Sequence, residues 1–265
     1  MQTLVEEVKS TIPEYAYDTN LTYAAACVHM TMIKSVRLGA CMTLSDERVF
    51  NFNQIQPVSK LGEIENIDLK NLLNWTESSQ GIERSFGFAA LNGAIELKDR
   101  YFLGNALDIG LKLGTNKNIA MIGHFSHVDN FREYAKNFWI LEKRPHAGDL
   151  PAEEYVNVLP ESDVVVATGV TFLNDTLEGL LKFKKPGSIF IVVGPSVPLS
   201  SVLFDHGVDI IGGAYVEDEP LAYKKILQGA SPRLIKDCMR TVLLPKNPDL
   251  LVGCEEIKPI VRNKL

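Results

Sequence analysis

The sequence predicts an α/β protein: a doubly wound parallel sheet over residues 101–265, preceded by a smaller α+β domain over residues 1–100. Three observations carry that prediction. Five short runs rich in β-branched residues lie at 119–122, 138–141, 164–167, 189–193 and 208–211. Each is continuously apolar instead of alternating, as a parallel strand covered on both faces requires. Segments of helical period separate them, so β and α units alternate in the pattern of an open sheet wound in both directions. The first 100 residues lack that alternation and read as a separate domain.

Taken in order, residues 3–10 read as a helix, and residues 28–44 are rich in strand formers with Gly39 interrupting them. A polar loop follows through Pro57 and Gly62. Residues 83–97 return to helical period, and Gly87, Ala89, Ala90, Gly93 and Ala94 give that helix a small-residue face suited to close packing. Residues 99–114 form a connecting segment and a helix capped by Asn105. Asp175 with Glu178 has the spacing of a capping box at the helix after the third run, with Asp in the Ser/Thr place. Ser196 before Pro198 predicts a helix start after the fourth run. Gly207 after His206 predicts its left-handed stop.

The composition narrows the function classes. With 27 Lys and Arg against 33 Asp and Glu, the formal charge is -6. A mildly acidic chain without a basic block is a poor nucleic-acid binder, because phosphate contacts need clustered cations. No apolar run approaches membrane-spanning length, and Glu6, Glu7 and Lys9 deny the amino terminus a signal-peptide core. The expected location is cytoplasmic. Four dispersed cysteines, Cys27, Cys41, Cys238 and Cys254, make neither a disulfide framework nor a zinc ribbon. A homodimer is the commonest prior for assembly.

In open α/β sheets, ligands bind beyond the carboxyl ends of the strands. Four such ends carry Gly with small hydroxyl, amide or ionisable residues. These are Gly123-His124-Phe125-Ser126-His127, then Glu142 with His146 and Asp149, then Thr168-Gly169 through Thr171, Asn174 and Thr176, then Gly194-Pro195-Ser196. The third loop offers hydroxyls and an amide at a helix start, a place that suits a carboxylate or phosphate, unless those groups only cap the helix. The strand–G-x-G-x-x-G fingerprint, the P-loop and the G-x-S-x-G elbow are all absent. His124 stands directly at a strand end, where a site residue is expected. His127 falls in a first helical turn and reads as exposed. His146 reads as an exposed loop residue or, with Asp149, as a source of a nitrogen and a carboxylate ligand, and His206 complements a helix end. Spacing alone defines no metal site.

At these loops the chain resembles the "putative heavy-metal chelation" family, a domain-of-unknown-function family. The resemblance rests on Gly123-His124-Phe125, Pro145, Gly148-Asp149, Pro151, Leu159-Pro160, Asp163-Val164-Val165, Thr168-Gly169-Val170-Thr171, Asn174, Thr176-Leu177-Glu178, Gly194-Pro195-Ser196 and Pro198. In the amino half it rests on Gly87-Phe88-Ala89-Ala90-Leu91-Asn92. It implies a Rossmann-like carboxyl domain after an amino domain resembling the enolase amino-terminal fold, with a ligand cleft between them. Asn92 would join the strand-end residues there. It also implies a transition metal or a metal chelate as the ligand, with His124 and Asp149 as candidate metal ligands. The alternative, from the residues, is an enzyme acting on a small anionic metabolite or nucleotide-like ligand, with His124 or Asp149 as acid or base.

Overall fold

The computed structural model describes residues 2–44, 58–97, 100–125, 128–252 and 258–261. In chain order the elements begin with α1 (Leu4–Lys9), β1 (Thr22–Ala26), β2 (Met30–Lys34), β3 (Leu38–Met42), α2 (Leu69–Asn74) and α3 (Gly81–Ala94). Next come β4 (Arg100–Leu103), α4 (Ala106–Gly114), β5 (Asn118–Ile122), α5 (Val128–Tyr134), β6 (Asn137–Glu142), β7 (Leu150–Pro151) and α6 (Tyr155–Val158). They are followed by β8 (Val164–Thr168), α7 (Val170–Leu173), α8 (Leu177–Leu181), β9 (Ile189–Val193) and α9 (Val202–Asp205). The last are β10 (Ile210–Val216), α10 (Glu219–Leu227), β11 (Met239–Pro245) and β12 (Lys258–Val261).

Contacts divide the chain into two compact units. One comprises Met1–Leu97, Pro198–Ser200 and Ala214–Arg240, the other Lys98–Val197, Ser201–Gly213 and Thr241–Leu265. In the first unit, α1 opens with a complete capping box between Thr3 and Glu6. Strands β1, β2 and β3 then form an antiparallel three-stranded sheet. The chain turns at Ser35–Arg37, where Ser35 N–H donates to Arg37 O. Gly39 therefore does not interrupt the strand-forming run; it lies inside β3.

Its role follows from the small-residue face of α3. A Cβ on Gly39 would stand 2.0 Å from Ala89 O and 2.3 Å from Gly93 N. Gly39 and Cys41 meet α3, where the Cys41 thiol donates to Ser85 O. Met30, Met32, Leu38 and Ala40 share a buried cluster with Val216, Ala222, Ile226, Ile235 and Cys238. Segment 214–240, which by sequence alone falls in the second domain, thus packs with the first unit. Glu219 fastens it there: its carboxylate pairs with Lys34 and accepts Leu38 N–H at 2.8 Å.

The second unit holds most of a nine-stranded sheet in the order β12-β4-β11-β10-β9-β8-β5-β6-β7. From β10 to β7 every neighbouring pair is parallel. The continuously apolar runs are covered on both faces, and Val164 through Ala167 are fully buried. The other edge is antiparallel, β4 pairing with both β11 and β12. The chain leaves β5 for β6 and β7, then returns to β8 on the opposite side of β5. The switch point of the winding therefore lies between the carboxyl ends of β5 and β8.

Two expected helix starts move. Asp175 has φ of 57°, a left-handed conformation that an N-cap residue does not adopt, and Thr176 stands at the N-cap of α8 without a side-chain capping bond. The helix expected near Pro198 begins instead at Val202, after a buried coil from Ser196 to Ser200. Its stop is as expected, with Gly207 at φ of 106° following the C-cap His206. Asn105 caps α4 through Leu107 N–H. No helix among the described residues is long and apolar enough to cross a membrane.

The amino ends of the strands are tied by carboxylates. Asp163 pairs with Lys185 at 2.6 Å and accepts Asn118 N–H at 3.0 Å. The Lys185 hydrogen bond and the Asn118 N–H hold its carboxyl below the ordinary value, against a smaller opposing effect of burial. Asp163→Asn should lower stability by about 1 kcal/mol near neutral pH, the scale of one such hydrogen-bonded group. A depressed folded-state pKa stabilises above the unfolded value and loses that contribution as pH falls through the folded one. Urea unfolding should therefore show the deficit at about pH 7 and its fading toward about pH 3.

Candidate metal centre

Strand β5 hands the chain to Gly123, whose N–H still donates to Leu141 O on β6 at 3.0 Å. Gly123 has φ of 91°, and a Cβ there would reach Thr168 Cγ2 at 3.0 Å. Glycine is thus required on two counts, conformation and space. The next residue, His124, donates its backbone N–H to Glu142 Oε1 at 3.1 Å. Strand β6 ends at Glu142, and a tight turn follows. Asp149 N–H donates to His146 O at 3.0 Å, His146 N–H donates back to Asp149 Oδ2 at 2.9 Å, and Gly148 takes φ of 94°. Pairing of Leu150 and Pro151 with β6 anchors the end of that loop.

The turn aims the Asp149 carboxylate at His124, whose Nε2 lies 2.6 Å from Asp149 Oδ2. The His124 and His146 rings stand with centroids 4.8 Å apart. The Asp149 side chain is 1% exposed and that of His124 is 34% exposed. Burial acts to raise the Asp149 pKa, but the bond to His124, the His146 N–H and the nearby imidazoles outweigh it. The carboxyl is held below its ordinary value and is ionised at neutral pH.

One ligand atom from each of His124, His146 and Asp149 lies within 4.8 Å of the others. Metal–nitrogen and metal–oxygen bonds of about 2.0–2.2 Å place donors about 3–4.4 Å apart around one ion. The cluster meets that range once its shortest pair opens and its longest closes by less than about 1 Å. Two imidazoles and one carboxylate form a donor set that suits Zn, Ni, Co and Fe(II). Among the described residues no cysteine joins the cluster. Cys41 and Cys238 are buried in the first unit and Cys27 is half-buried there, with burial pushing all three thiols up.

The other expected site residues fall into distinct places. Thr168 ends β8 against Gly123, and Phe125 packs on the core of the second unit. Gly169 donates to Val193 O and lies under Val197, bringing the third loop against the Gly194-Pro195-Ser196 loop. Gly194 takes φ of 133°, and Ser196 is buried. Thr171 Oγ1 donates to Thr168 O at 2.7 Å, and Thr176 Oγ1 reaches Thr171 O. The amide orientation of Asn174 that satisfies both its ends donates to Thr176 Oγ1, Val170 O and Thr171 O and accepts from Lys143 Nζ. These donors serve their own loop. Asn92 lies in the first unit, on α3, where it donates to Ala40 O. Ser126, His127 and Cys254 lie outside the described residues.

His146 is exposed, as its sequence context suggests, yet it also belongs to the cluster. The readable signal was the close spacing of His146, Gly148 and Asp149, which makes a one-turn loop. Glu142 gave no signal beyond its place at a strand end.

A family model described as "Putative heavy-metal chelation" (DUF364) matches residues 105–244, and a second with the same description (DUF4213) matches residues 9–95. An uncharacterized protein of Methanocaldococcus jannaschii is 28% identical over 179 residues, covering 64% of this chain and 69% of that protein. Two crystal structures share the fold, both of proteins with unknown function from the DUF364 family. The one from Desulfitobacterium hafniense superimposes with a TM-score of 0.75 at 22% identity, over 92% of this chain and 98% of the other. The one from Pyrococcus horikoshii gives a TM-score of 0.71 at 21% identity, over 92% and 100%. With one model spanning more than half of its length, the chain belongs to the DUF364 "putative heavy-metal chelation" family.

Proposed function

We propose that the protein binds a divalent transition-metal ion, bare or carried in a small chelate, through His124, His146 and Asp149. The convergence of these three ligand atoms within 4.8 Å carries the reading. An ionised, buried carboxylate beside two imidazoles lowers the charge of a bound dication to about +1, and neutral His nitrogens complete a borderline donor set. The family description supports the same reading.

Calorimetric and thermal-shift titrations of chelator-treated protein with Zn2+, Co2+, Ni2+ and Fe2+ test it. Wild type should bind about one equivalent of at least one ion, and at about 100 times Kd that ion adds roughly 2.7 kcal/mol of stability. The variant carrying His124→Ala and His146→Ala should lose both signals. No heat and no shift with any of the ions would overturn the reading.

A second reading has its own observation. The 2.6 Å His124–Asp149 pair joins a buried carboxylate to a partly exposed imidazole, an arrangement that orients a general base. A thermal shift with small anionic metabolites in the absence of any metal response would favour it.

A further inference from the structure

We infer that Glu142 is a positioning residue of the metal centre, holding the backbone of His124 while standing outside the donor set. The assignment rests on the metal-binding reading above.

The argument starts from strand register. Strands β5 and β6 pair in parallel with Ile122 opposite Leu141, so their carboxyl ends finish side by side. Glu142 is the last residue of β6, held further by its pairing with Pro151 of β7. Its two oxygens divide their work. Oε1 accepts His124 N–H at 3.1 Å, and Oε2 accepts Lys143 N–H at 2.9 Å. One carboxylate therefore joins the two segments that carry all three donors: the loop after β5 with His124, and the loop after β6 with His146 and Asp149.

The surroundings constrain the backbone at His124. Gly123 is fixed at φ of 91° with Thr168 against it, and Glu142 Oε1 would lie 3.9 Å from a Cβ on Gly123. The backbone leading into His124 is thus set by Gly123 against Thr168 on one side and by the Glu142 carboxylate on the other. Glu142 is not in the group whose ligand atoms converge. Its carboxylate still lies against the backbone of a residue of that group, where it favours a bound cation. Groups that orient metal ligands in this way typically contribute about 10- to 100-fold to affinity.

The test compares wild type, Glu142→Gln and Glu142→Ala as full chains. The readouts are melting temperature without metal, affinity for Zn2+ and Co2+ by titration, and the visible absorption of the Co2+ form, which reports coordination geometry. The Ala variant should bind about 10- to 100-fold more weakly with an altered Co2+ spectrum and a near-native melting temperature. The Gln variant keeps one carbonyl acceptor and should fall between. Wild-type affinity and spectrum in both variants would overturn the assignment. Should the Ala variant fail to fold, the Gln variant decides: weaker binding with intact stability supports the role, and unchanged binding overturns it. Failure of wild type itself to bind any ion is a different result. It overturns the metal reading, and this assignment falls with it.

Discussion

Asp149→Asn is expected to weaken divalent-metal binding by about 100-fold or more, roughly 2.7 kcal/mol, while leaving the fold intact. Asparagine has the size of aspartate and keeps an oxygen that can accept from His124 Nε2 and His146 N–H, the two bonds that hold the turn. What it loses is the charge. A neutral amide oxygen is a poor ligand for a borderline ion, and the centre then offers no anionic donor among the described residues. Titration with Zn2+, Co2+ and Ni2+ beside circular dichroism of the metal-free variant checks both halves. Wild-type affinity in the Asn variant would remove Asp149 from the donor set.

The second large effect is expected at Gly39→Ala, which should destabilise the protein by about 3 kcal/mol or more. The new methyl would stand 2.0 Å from Ala89 O, 2.3 Å from Gly93 N and 2.8 Å from Gly93 Cα. All three are backbone atoms, so no rotamer change relieves the clash; β3 and α3 must move apart. That separation loosens Phe86, Phe88, Ala90 and Leu91, all buried on α3. A melting-temperature fall of roughly 10 °C is the corresponding scale. Gly179→Ala is the matched control, because nothing lies within 4 Å of its added methyl on α8. That change should be neutral or stabilising by up to about 1 kcal/mol. Equal melting temperatures for the two variants would contradict the close approach.

Much of the second unit was legible because its cues are local. A continuously apolar run reports a strand buried on both faces, and all five expected runs overlap strands, although the last, 208–211, reaches only the first two residues of the longer β10. Asn105 marks a helix start through its side-chain cap, and Gly207 marks a helix end through its own backbone conformation. Strands β4 and β11 were not legible. Residues 100–103 are short and polar at one end, and residues 239–245 follow a segment of helical period, so neither shows a decisive repeat. The capping spacing at Asp175 and Glu178 was misleading, because a spacing does not reveal that the first residue takes a left-handed turn. Gly39 looked like a break for a related reason. A glycine inside a strand and one that ends it are identical until the helix across from it is known.

The sequence by itself determined the fold class, the strand-end loops and the residue types able to bind a ligand there, because periodicity and turn chemistry are properties of neighbouring residues. It did not determine which loops meet. His124 reaches His146 and Asp149 only because β5 and β6 pair in parallel with Asn118 opposite Asn137 and Ile122 opposite Leu141. That register brings two strand ends together and places Glu142 against the His124 backbone. Segment 214–240 likewise joins the first unit through contacts with residues far away in the chain. Pairing and packing between distant segments leave no mark in local pattern, so the meeting of His124, His146 and Asp149, the Glu142 bond to the His124 backbone and the packing of segment 214–240 were decided by the tertiary structure alone.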